Sequence, residues 1–130
     1  MIVLDTHTVV WALAKHPRLS LAAKRSIESA ERQGVQLTVA SSSLYEVANG
    51  VVRGRIEANL ALADLLREIE IRFLIQPLTA EIALAAAQLP ATFPSDPFDR
   101  IITATALVSG AVLITADERI RHSGAVRTVW

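Results

Sequence analysis

The stretch Ile2-Val-Leu-Asp5-Thr6 decides the fold, because it joins a short apolar run directly to a carboxylate. An apolar run enriched in β-branched residues predicts a buried strand. After it, Val9, Val10 and Leu13 recur at helical spacing, which predicts a helix over residues 6–14. A strand that is apolar on both faces and leads straight into a helix is typical of a parallel sheet covered on two sides.

The same alternation of strand and helix continues along the chain. Further strands are predicted over residues 36–39, 73–75 and 111–115, with an edge strand over 126–129. Further helices are predicted over residues 20–32, 44–52, 60–71, 79–88, 97–109 and 117–121. The serines at 41–43 are expected to form a polar break before the third helix. Together these elements predict an α/β fold with a parallel sheet.

The composition predicts a single folded domain over residues 1–130 and narrows its function. Hydrophobic residues make up 52% and charged residues 20%, which excludes intrinsic disorder. Aromatic residues make up 5%, which disfavours a sheet of stacked aromatic rings for RNA recognition. Thirteen basic residues balance thirteen acidic ones, which argues against a polycation that coats nucleic acid. Without cysteine the chain has no disulfide and no thiolate metal ligand.

No targeting or membrane segment is expected. Asp5 is preceded by no basic region of the kind that begins a secretory signal. The longest uncharged stretch, residues 101–116, has sixteen residues, whereas a membrane span needs roughly 20. The sequence therefore predicts a cytoplasmic protein without a membrane anchor.

Five acidic residues fall near one predicted edge of the sheet. Asp5 ends the first strand, Glu46 lies in the first turn of the helix after the second strand, and Asp117 follows the fourth strand. Asp96 and Asp99 open the helix that leads into the fourth strand. The carboxyl ends of parallel strands share one edge, where ligands bind. We therefore expect these carboxylates to meet in one cluster.

Such a cluster points to divalent metal chemistry. Carboxylates in a partly dry cleft repel one another, and their pKa values rise unless a cation neutralises them. Donor sets made only of oxygen suit Mg²⁺ or Mn²⁺, and these ions promote phosphodiester hydrolysis. A zinc site is not expected, because His7, His16 and His122 lack ligand spacing.

Four of the acids also have a structural interpretation. Ser43 and Glu46 have the spacing of a capping box. Asp96 stands before a proline as a helix N-cap does, and Asp117 is placed to cap the short helix that follows it. The helix dipole alone accounts for Asp99. These alternatives stay open on the sequence alone.

Asp5 is the hardest acid to explain structurally. A carboxylate at the tip of a buried strand is unfavourable in its ionised form unless it has a partner. His7, two residues further on, is expected at a surface or half-buried helix position. Trp11 and Trp130 are expected to be apolar mass in a core or an interface rather than platforms for bases.

Four stretches in order cover nearly the whole chain: Leu4-Asp-Thr-His-Thr8, Ser43-Leu-Tyr-Glu-Val-Ala48, Asp96-Pro-Phe-Asp-Arg-Ile-Ile102 and Leu113-Ile-Thr-Ala-Asp117. In this order and spacing they resemble PIN-domain ribonucleases, and among these the VapC toxins of bacterial toxin–antitoxin pairs. The resemblance implies a PIN-like three-layer α/β/α fold with a parallel sheet of four to five strands.

The resemblance also implies roles for individual residues. Thr115 would orient the site through its hydroxyl, and Asp96 corresponds to the helix-capping member of the family's Asp-Pro-Phe-Asp-Arg run. Apart from the resemblance, Arg100 or another arginine is expected to steady the RNA backbone, unless Arg100 instead pairs locally with Asp96 or with Glu residues. The implied metal-binding and catalytic residues are Asp5, Glu46, Asp99 and Asp117.

By the same resemblance, the expected activity is Mg²⁺- or Mn²⁺-dependent endonucleolytic cleavage of RNA. The expected partners are a second copy of the chain and a VapB-like antitoxin whose tail blocks the cleft. One departure is Asn49-Gly50 in the third helix, where relatives often carry better helix formers. This departure affects the surface expected to face the antitoxin and leaves the acids intact.

Two other classes of protein remain open. A strand that ends in Asp-Thr also resembles phosphatases that form an aspartyl intermediate, but these place a second Asp where this chain has His7. A catalytically inactive PIN-like module that binds RNA or protein would keep the same fold. Nucleotide binding is disfavoured, because no glycine-rich phosphate loop follows any strand.

Overall fold

The computed structural model describes residues 1–130 as a parallel sheet between layers of helices. The strands are β1 (Ile2–Leu4), β2 (Leu37–Ala40), β3 (Leu74–Gln76), β4 (Val112–Ile114) and β5 (Thr128–Val129). The helices are α1 (Thr6–Ala14), α2 (Leu21–Gln33), α3 (Ser41–Val52), α4 (Leu62–Arg72), α5 (Ala80–Gln88), α6 (Pro97–Ser109) and α7 (Glu118–Ser123). All strand pairs are parallel, in the order β3-β2-β1-β4-β5, which confirms the predicted α/β class.

Strand β1 lies at the centre of the sheet, and its register brings distant residues to one edge. Leu4, the last residue of β1, pairs with Val39 of β2 on one side and with Ile114 of β4 on the other. The three strands therefore end at nearly the same level. Asp5 and Thr115, which follow two of these strands, consequently emerge side by side.

The core lies on both faces of the sheet, because successive residues of β1 point in opposite directions. Leu4 packs into an apolar cluster with residues of α1 to α4, and Val3 packs into a second cluster with residues of α6 and α7. Both side chains are completely buried, and burial of such a residue contributes about 1.5–3 kcal/mol. None of the helices is long and apolar enough to cross a membrane.

Helix α3 begins earlier than the sequence pattern predicts. The serines at 41–43 form its first turn instead of a polar break, since β2 runs into α3 without a loop. Ala40 occupies the N-cap, and no side chain caps this helix. The capping-box interpretation of Ser43 and Glu46 is therefore wrong. Glu46 lies in the second turn and not in the first.

Gly50 in α3 has a packing role that its low helix propensity does not reveal. A Cβ at this position would lie 2.5 Å from Cδ1 and 2.8 Å from Cγ1 of Ile56. The carbonyl of Gly50 also accepts hydrogen bonds from the N–H groups of Arg55 and Ile56, at 2.8 and 3.0 Å. The glycine thus allows the chain to fold back after α3 and bury Ile56.

Candidate active site

A cleft of about 290 Å³ lies at the carboxyl edge of the sheet. It contains all four residues that the sequence predicts as metal ligands. They come from the end of β1, from α3, from the first turn of α6 and from the segment after β4. The cleft is lined by Asp5, His7, Trp11, Arg18, Glu46, Asp99, Ala116 and Asp117.

Asp5 lies deepest in the cleft and is 8% exposed. It is the N-cap of α1, and its Oδ1 accepts a hydrogen bond of 2.7 Å from the N–H of Thr6. Its Oδ2 accepts a hydrogen bond of 2.7 Å from the hydroxyl of Thr115. Burial raises the pKa of Asp5, and these two hydrogen bonds oppose the shift. Both carboxylate oxygens are therefore held in fixed directions.

Thr115 links Asp5 to Asp117. Its hydroxyl donates to Asp5 and accepts a hydrogen bond of 3.0 Å from the N–H of Asp117. Asp117 in turn caps α7, since its Oδ1 accepts from the N–H groups of Arg119 and Ile120. Asp117 thus combines the capping role suggested by the sequence with a place on the cleft wall.

Glu46 is held by Thr6, a residue to which the sequence analysis gave no role in the site. The hydroxyl of Thr6 donates a short hydrogen bond to Oε1 of Glu46 and also hydrogen-bonds to Ser43 Oγ over 3.0 Å. Burial is the main cause that raises the pKa of Glu46, and the charge of Asp5 adds to it. The sequence carries no local signal for this role, because Thr6 and Glu46 are 40 residues apart and only the fold brings them together.

Asp99 lies at the outer side of the cleft and accepts no hydrogen bond from the protein. Burial, followed by repulsion from Asp96, Asp5, Asp117 and Glu46, raises its pKa to about 7. Asp96 is the N-cap of α6, where its Oδ1 accepts from the N–H groups of Phe98 and Asp99. The capping role expected for Asp96 is confirmed, and its charge acts on Asp99 from outside the cleft.

One cation approaches the outer acids. Arg119 Nη2 lies 3.8 Å from Oδ2 of Asp99 and 3.8 Å from Oδ2 of Asp117, and its side chain is 69% exposed. No three Asp, Glu or His side chains of the chain lie close enough together to form a ready-made metal site. The predicted cluster is therefore a shared cleft rather than an assembled set of ligands. Its chemistry, carboxylates with raised pKa values and no thiolate, fits Mg²⁺ or Mn²⁺.

Arg100 does not contact the acids. Its guanidinium donates to five backbone carbonyls, that of Ala86 in the last turn of α5 and those of Leu89, Pro90, Phe93 and Pro94 in the loop between α5 and α6. These bonds occupy all its nitrogens, because helix ends and loops leave carbonyls without partners. The expectation that Arg100 pairs with Asp96 is therefore wrong, because its guanidinium instead fixes the loop before α6. The alternative, that Arg100 steadies the RNA backbone, stays a prediction.

Trp11 and Arg18 also line the cleft, although the sequence analysis assigned neither to a site. Trp11 follows Asp5 on α1, and Arg18 lies in the turn after that helix. The sequence does carry a signal for these two residues. A helix that starts at the carboxyl end of a strand has its first turns beside the cleft. His7 lies exposed at the same edge, as expected for a surface position on the helix.

Comparison with known proteins defines the class. Residues 2–125 match the family model of the PIN domain. The chain therefore belongs to the PIN domain family. The chain is 36% identical to Ribonuclease VapC22 of Mycobacterium tuberculosis over 131 aligned residues. This alignment covers 99% of this chain and 98% of the mycobacterial protein. Within the PIN domain family it is thus of the VapC type.

Solved structures show the same fold. VapBC2 from Rickettsia felis, bound to a DNA fragment from its promoter, aligns with 98% of this chain and 97% of its own, at 19% identity and a TM-score of 0.74. DNA-bound VapBC from Salmonella typhimurium aligns with 98% of this chain and 95% of its own, at 20% identity and a TM-score of 0.71. The expected PIN-like sandwich of helices around a parallel sheet is confirmed.

Proposed function

We propose that this protein is a VapC-type endoribonuclease that depends on Mg²⁺ or Mn²⁺ and is restrained by a VapB-like antitoxin. The observation that carries the proposal is the cleft, where carboxylates from four separate segments meet at the carboxyl edge of the sheet. The whole-chain similarity to a ribonuclease of the VapC type supports RNA as the substrate.

The four carboxylates of the cleft are the proposed metal ligands. They are Asp5, Glu46, Asp99 and Asp117. When bound, a divalent ion would orient an attacking water and stabilise the charge that develops on the phosphate oxygens.

The threonines position two of these ligands. Each carboxylate oxygen of Asp5 accepts one hydrogen bond and so keeps one free lone pair in a defined direction. Thr6 orients Glu46 in the same way from the opposite side. Thr115 is therefore a positioning residue of the proposed site. Asp99 has no such restraint and can turn toward the substrate phosphate or the ion.

A VapB-like antitoxin is the proposed partner. The support is that structural relatives of this fold were solved as VapBC complexes. A basic antitoxin side chain placed in the cleft would pair with the same carboxylates that we propose for the metal. We further propose a homodimer that acts on RNA in the cytoplasm.

The nuclease proposal is tested by incubating the purified protein with structured RNA and Mg²⁺ or Mn²⁺. We expect cleavage that a chelator abolishes and that Asp99→Asn removes. Asp64→Asn is the matched control, because Asp64 is an exposed acid on α4 that lies outside the cleft. Equal degradation by the wild type and by Asp99→Asn would contradict the proposal.

Calorimetric titration with Mn²⁺ distinguishes this proposal from a binding module that uses no metal. We expect heat of binding in the wild type and its loss in Asp5→Asn. Titration curves that are identical for the wild type and Asp5→Asn would favour the module.

The antitoxin proposal is tested by expressing the chain in cells. Growth arrest on expression, relieved by a co-expressed neighbouring gene, is the expected sign of the antitoxin.

A further inference from the structure

One side of the cleft carries aromatic rings that the proposed chemistry does not use. Trp11 is at their centre, with ring centroids 5.6 Å from His7, 5.8 Å from His16 and 5.7 Å from Trp130. His7 and Trp11 line the cleft, whereas His16 and Trp130 pack on Trp11 outside it. We call these four residues the aromatic shelf. The indole of Trp11 is therefore supported from behind and half-buried, with part of its surface on the cleft.

The turn after α1 builds the back of the aromatic shelf. Lys15 caps α1 in the left-handed conformation, with φ of 50°, and is the only residue other than glycine with positive φ. This turn directs the N–H of His16 to the carbonyl of Trp11, at 2.9 Å. The N–H of Arg18 then donates to Nδ1 of His16 at 3.0 Å. The imidazole is thus held nearly parallel to the indole, at an interplanar angle of 23°.

Residues 6–20, which form α1 and the turn after it, carry charge opposite to that of the acids in the cleft. Residues 6–20 contain no Asp or Glu, and they include Lys15, Arg18 and two of the three histidines. Arg18 lines the same cleft as Asp5 and Asp99. The acids of the cleft repel a polyanion such as RNA unless they hold a metal ion. Residues 6–20 therefore form the side of the cleft from which RNA can approach.

We propose that the aromatic shelf is a nucleobase subsite, in which an unpaired base next to the scissile phosphate stacks on the indole of Trp11, with the tilted ring of His7 at its edge. This role for Trp11 replaces the purely apolar one expected from the sequence. Arg18 contacts the phosphate beside that base. The inference rests on the proposed function, since it names how the RNA is held at the same site. A flat ring surface accepts any base, so the subsite selects unpaired nucleotides rather than a sequence.

Tryptophan fluorescence tests the subsite directly, because the chain has two tryptophans. Trp130→Phe leaves Trp11 as the only tryptophan, and adding Asp99→Asn prevents cleavage. The probes are a twelve-nucleotide oligo(A), and an abasic phosphodiester chain of the same length and charge. We expect oligo(A) to quench Trp11 and to bind about tenfold more tightly than the abasic chain, as stacking of a base predicts.

Variants separate the ring contribution from the charge contribution. Trp11→Ala, in the full chain with Asp99→Asn, is expected to weaken oligo(A) binding about tenfold and to leave abasic binding unchanged, as followed by polarisation of a labelled probe. Arg18→Gln is expected to weaken both probes alike and to lower the salt slope by about one. Arg25→Gln is the matched control, since Arg25 is an exposed arginine on α2 outside the cleft.

Two further variants keep the test decisive if Trp11→Ala does not fold. Trp11→Phe retains a ring and is expected to lose only a fewfold in affinity for oligo(A). His16→Ala removes an exposed ring behind the indole and is expected to weaken oligo(A) binding less than Trp11→Ala does. Equal binding of oligo(A) and the abasic chain, with no quenching of Trp11, would overturn the subsite.

The failure of the subsite differs from the failure of the proposed function. RNA cleavage by the wild type with Mn²⁺, combined with base-independent binding, would refute the aromatic shelf as a subsite and leave the nuclease intact. Base-dependent quenching of Trp11 in a protein that cleaves no RNA would refute the nuclease. In that case the base-binding role of the aromatic shelf would remain.

Discussion

The inner and outer sides of the cleft hold their carboxylates in different ways. On the inner side, Asp5 accepts hydrogen bonds from Thr6 and Thr115, and Glu46 accepts one from Thr6. On the outer side, Asp99 accepts none, and its nearest cation is the exposed Arg119 at 3.8 Å. The inner acids are therefore held in place by hydrogen bonds, whereas Asp99 has no such donor to offset the burial and the neighbouring charges that raise its pKa.

This difference follows from where the residues stand in the chain. The inner acids lie beside threonines that follow directly after strands, so their donors are as rigid as the sheet. Asp99 lies in the first turn of α6, which is reached through a loop. Rigid donors fix the direction of a lone pair, and a free carboxylate can adjust to a ligand.

The largest effect is expected from neutralising an inner acid. Asp5→Asn removes a charge at the centre of the cleft and is expected to lower the RNA cleavage rate about a thousandfold, the upper range for losing one preorganised electrostatic group. Initial rates on a labelled RNA with Mn²⁺ give the measurement. Asp64→Asn should cleave at the wild-type rate. Asp5→Asn retaining a tenth of the activity would mean that the inner side is dispensable.

A smaller effect is expected when the inner acid stays and its donor is removed. Thr115→Val takes away the hydroxyl that donates to Asp5 and accepts from Asp117. We expect Mn²⁺ affinity to fall about 10- to 100-fold, as for other residues that orient metal ligands. Urea unfolding should show a loss of about 1–3 kcal/mol for the buried groups left without partners.

Thr115→Ser is the control for this change, because it restores the hydroxyl and removes only a methyl group. Its Mn²⁺ affinity should return to within a fewfold of the wild type. Weak binding by both variants alike would show that packing around β4, and not the hydrogen bond to Asp5, governs the site.

The outer side predicts a dependence of stability on pH. The pKa of Asp99 is raised to about 7 in the folded protein, above its ordinary value near 3.8, so the folded state binds more protons between these pH values. Without divalent ions, the free energy of unfolding should therefore fall as the pH rises from 4 to 7. Asp99→Asn should flatten this slope and gain about 1 kcal/mol at pH 8, a modest value because the carboxylate is partly solvated.

Thermal unfolding in the presence of a chelator, at a series of pH values, measures this effect. Asp64→Asn should keep the wild-type slope, since its carboxylate is exposed on α4. An Asp99→Asn protein that is less stable than the wild type at pH 8 would show that Asp99 is restrained by contacts and not by repulsion.

The sequence predicts the acids of the cleft better than it predicts their surroundings. Asp5 and Asp117 follow apolar β-branched runs, and in a parallel sheet strand ends share an edge whatever the details of packing. The partners of these acids depend on side chains brought together from far apart, such as Thr6 with Glu46. Nothing local to Thr6 distinguishes a helix-starting threonine from one that orients an acid.

Two misreadings have the same cause. The serines at 41–43 were predicted as a break because serine favours caps and turns, but the junction with β2 leaves no room for a loop. The sequence predicts that Arg100 pairs with a carboxylate, but its guanidinium is surrounded by five carbonyls, one at the end of α5 and four in the loop before α6. In both places tertiary contacts outweigh the local preference of the residue.

The smallest effect is expected from Arg119, the one cation within 4 Å of Asp99 and Asp117. Its guanidinium lies 3.8 Å from both Asp99 and Asp117 but is 69% exposed, and such a pair contributes about 0–1 kcal/mol. Because it competes with a metal ion for the same two acids, Arg119→Gln should raise Mn²⁺ affinity about twofold at low salt. Calorimetry at two salt concentrations measures the difference, which should vanish at about 1 M salt, where the screening length falls to about 3 Å. A loss of affinity in Arg119→Gln would instead show that the arginine holds the outer acids in place, and the contrast between a fixed inner side and a free outer side would no longer stand.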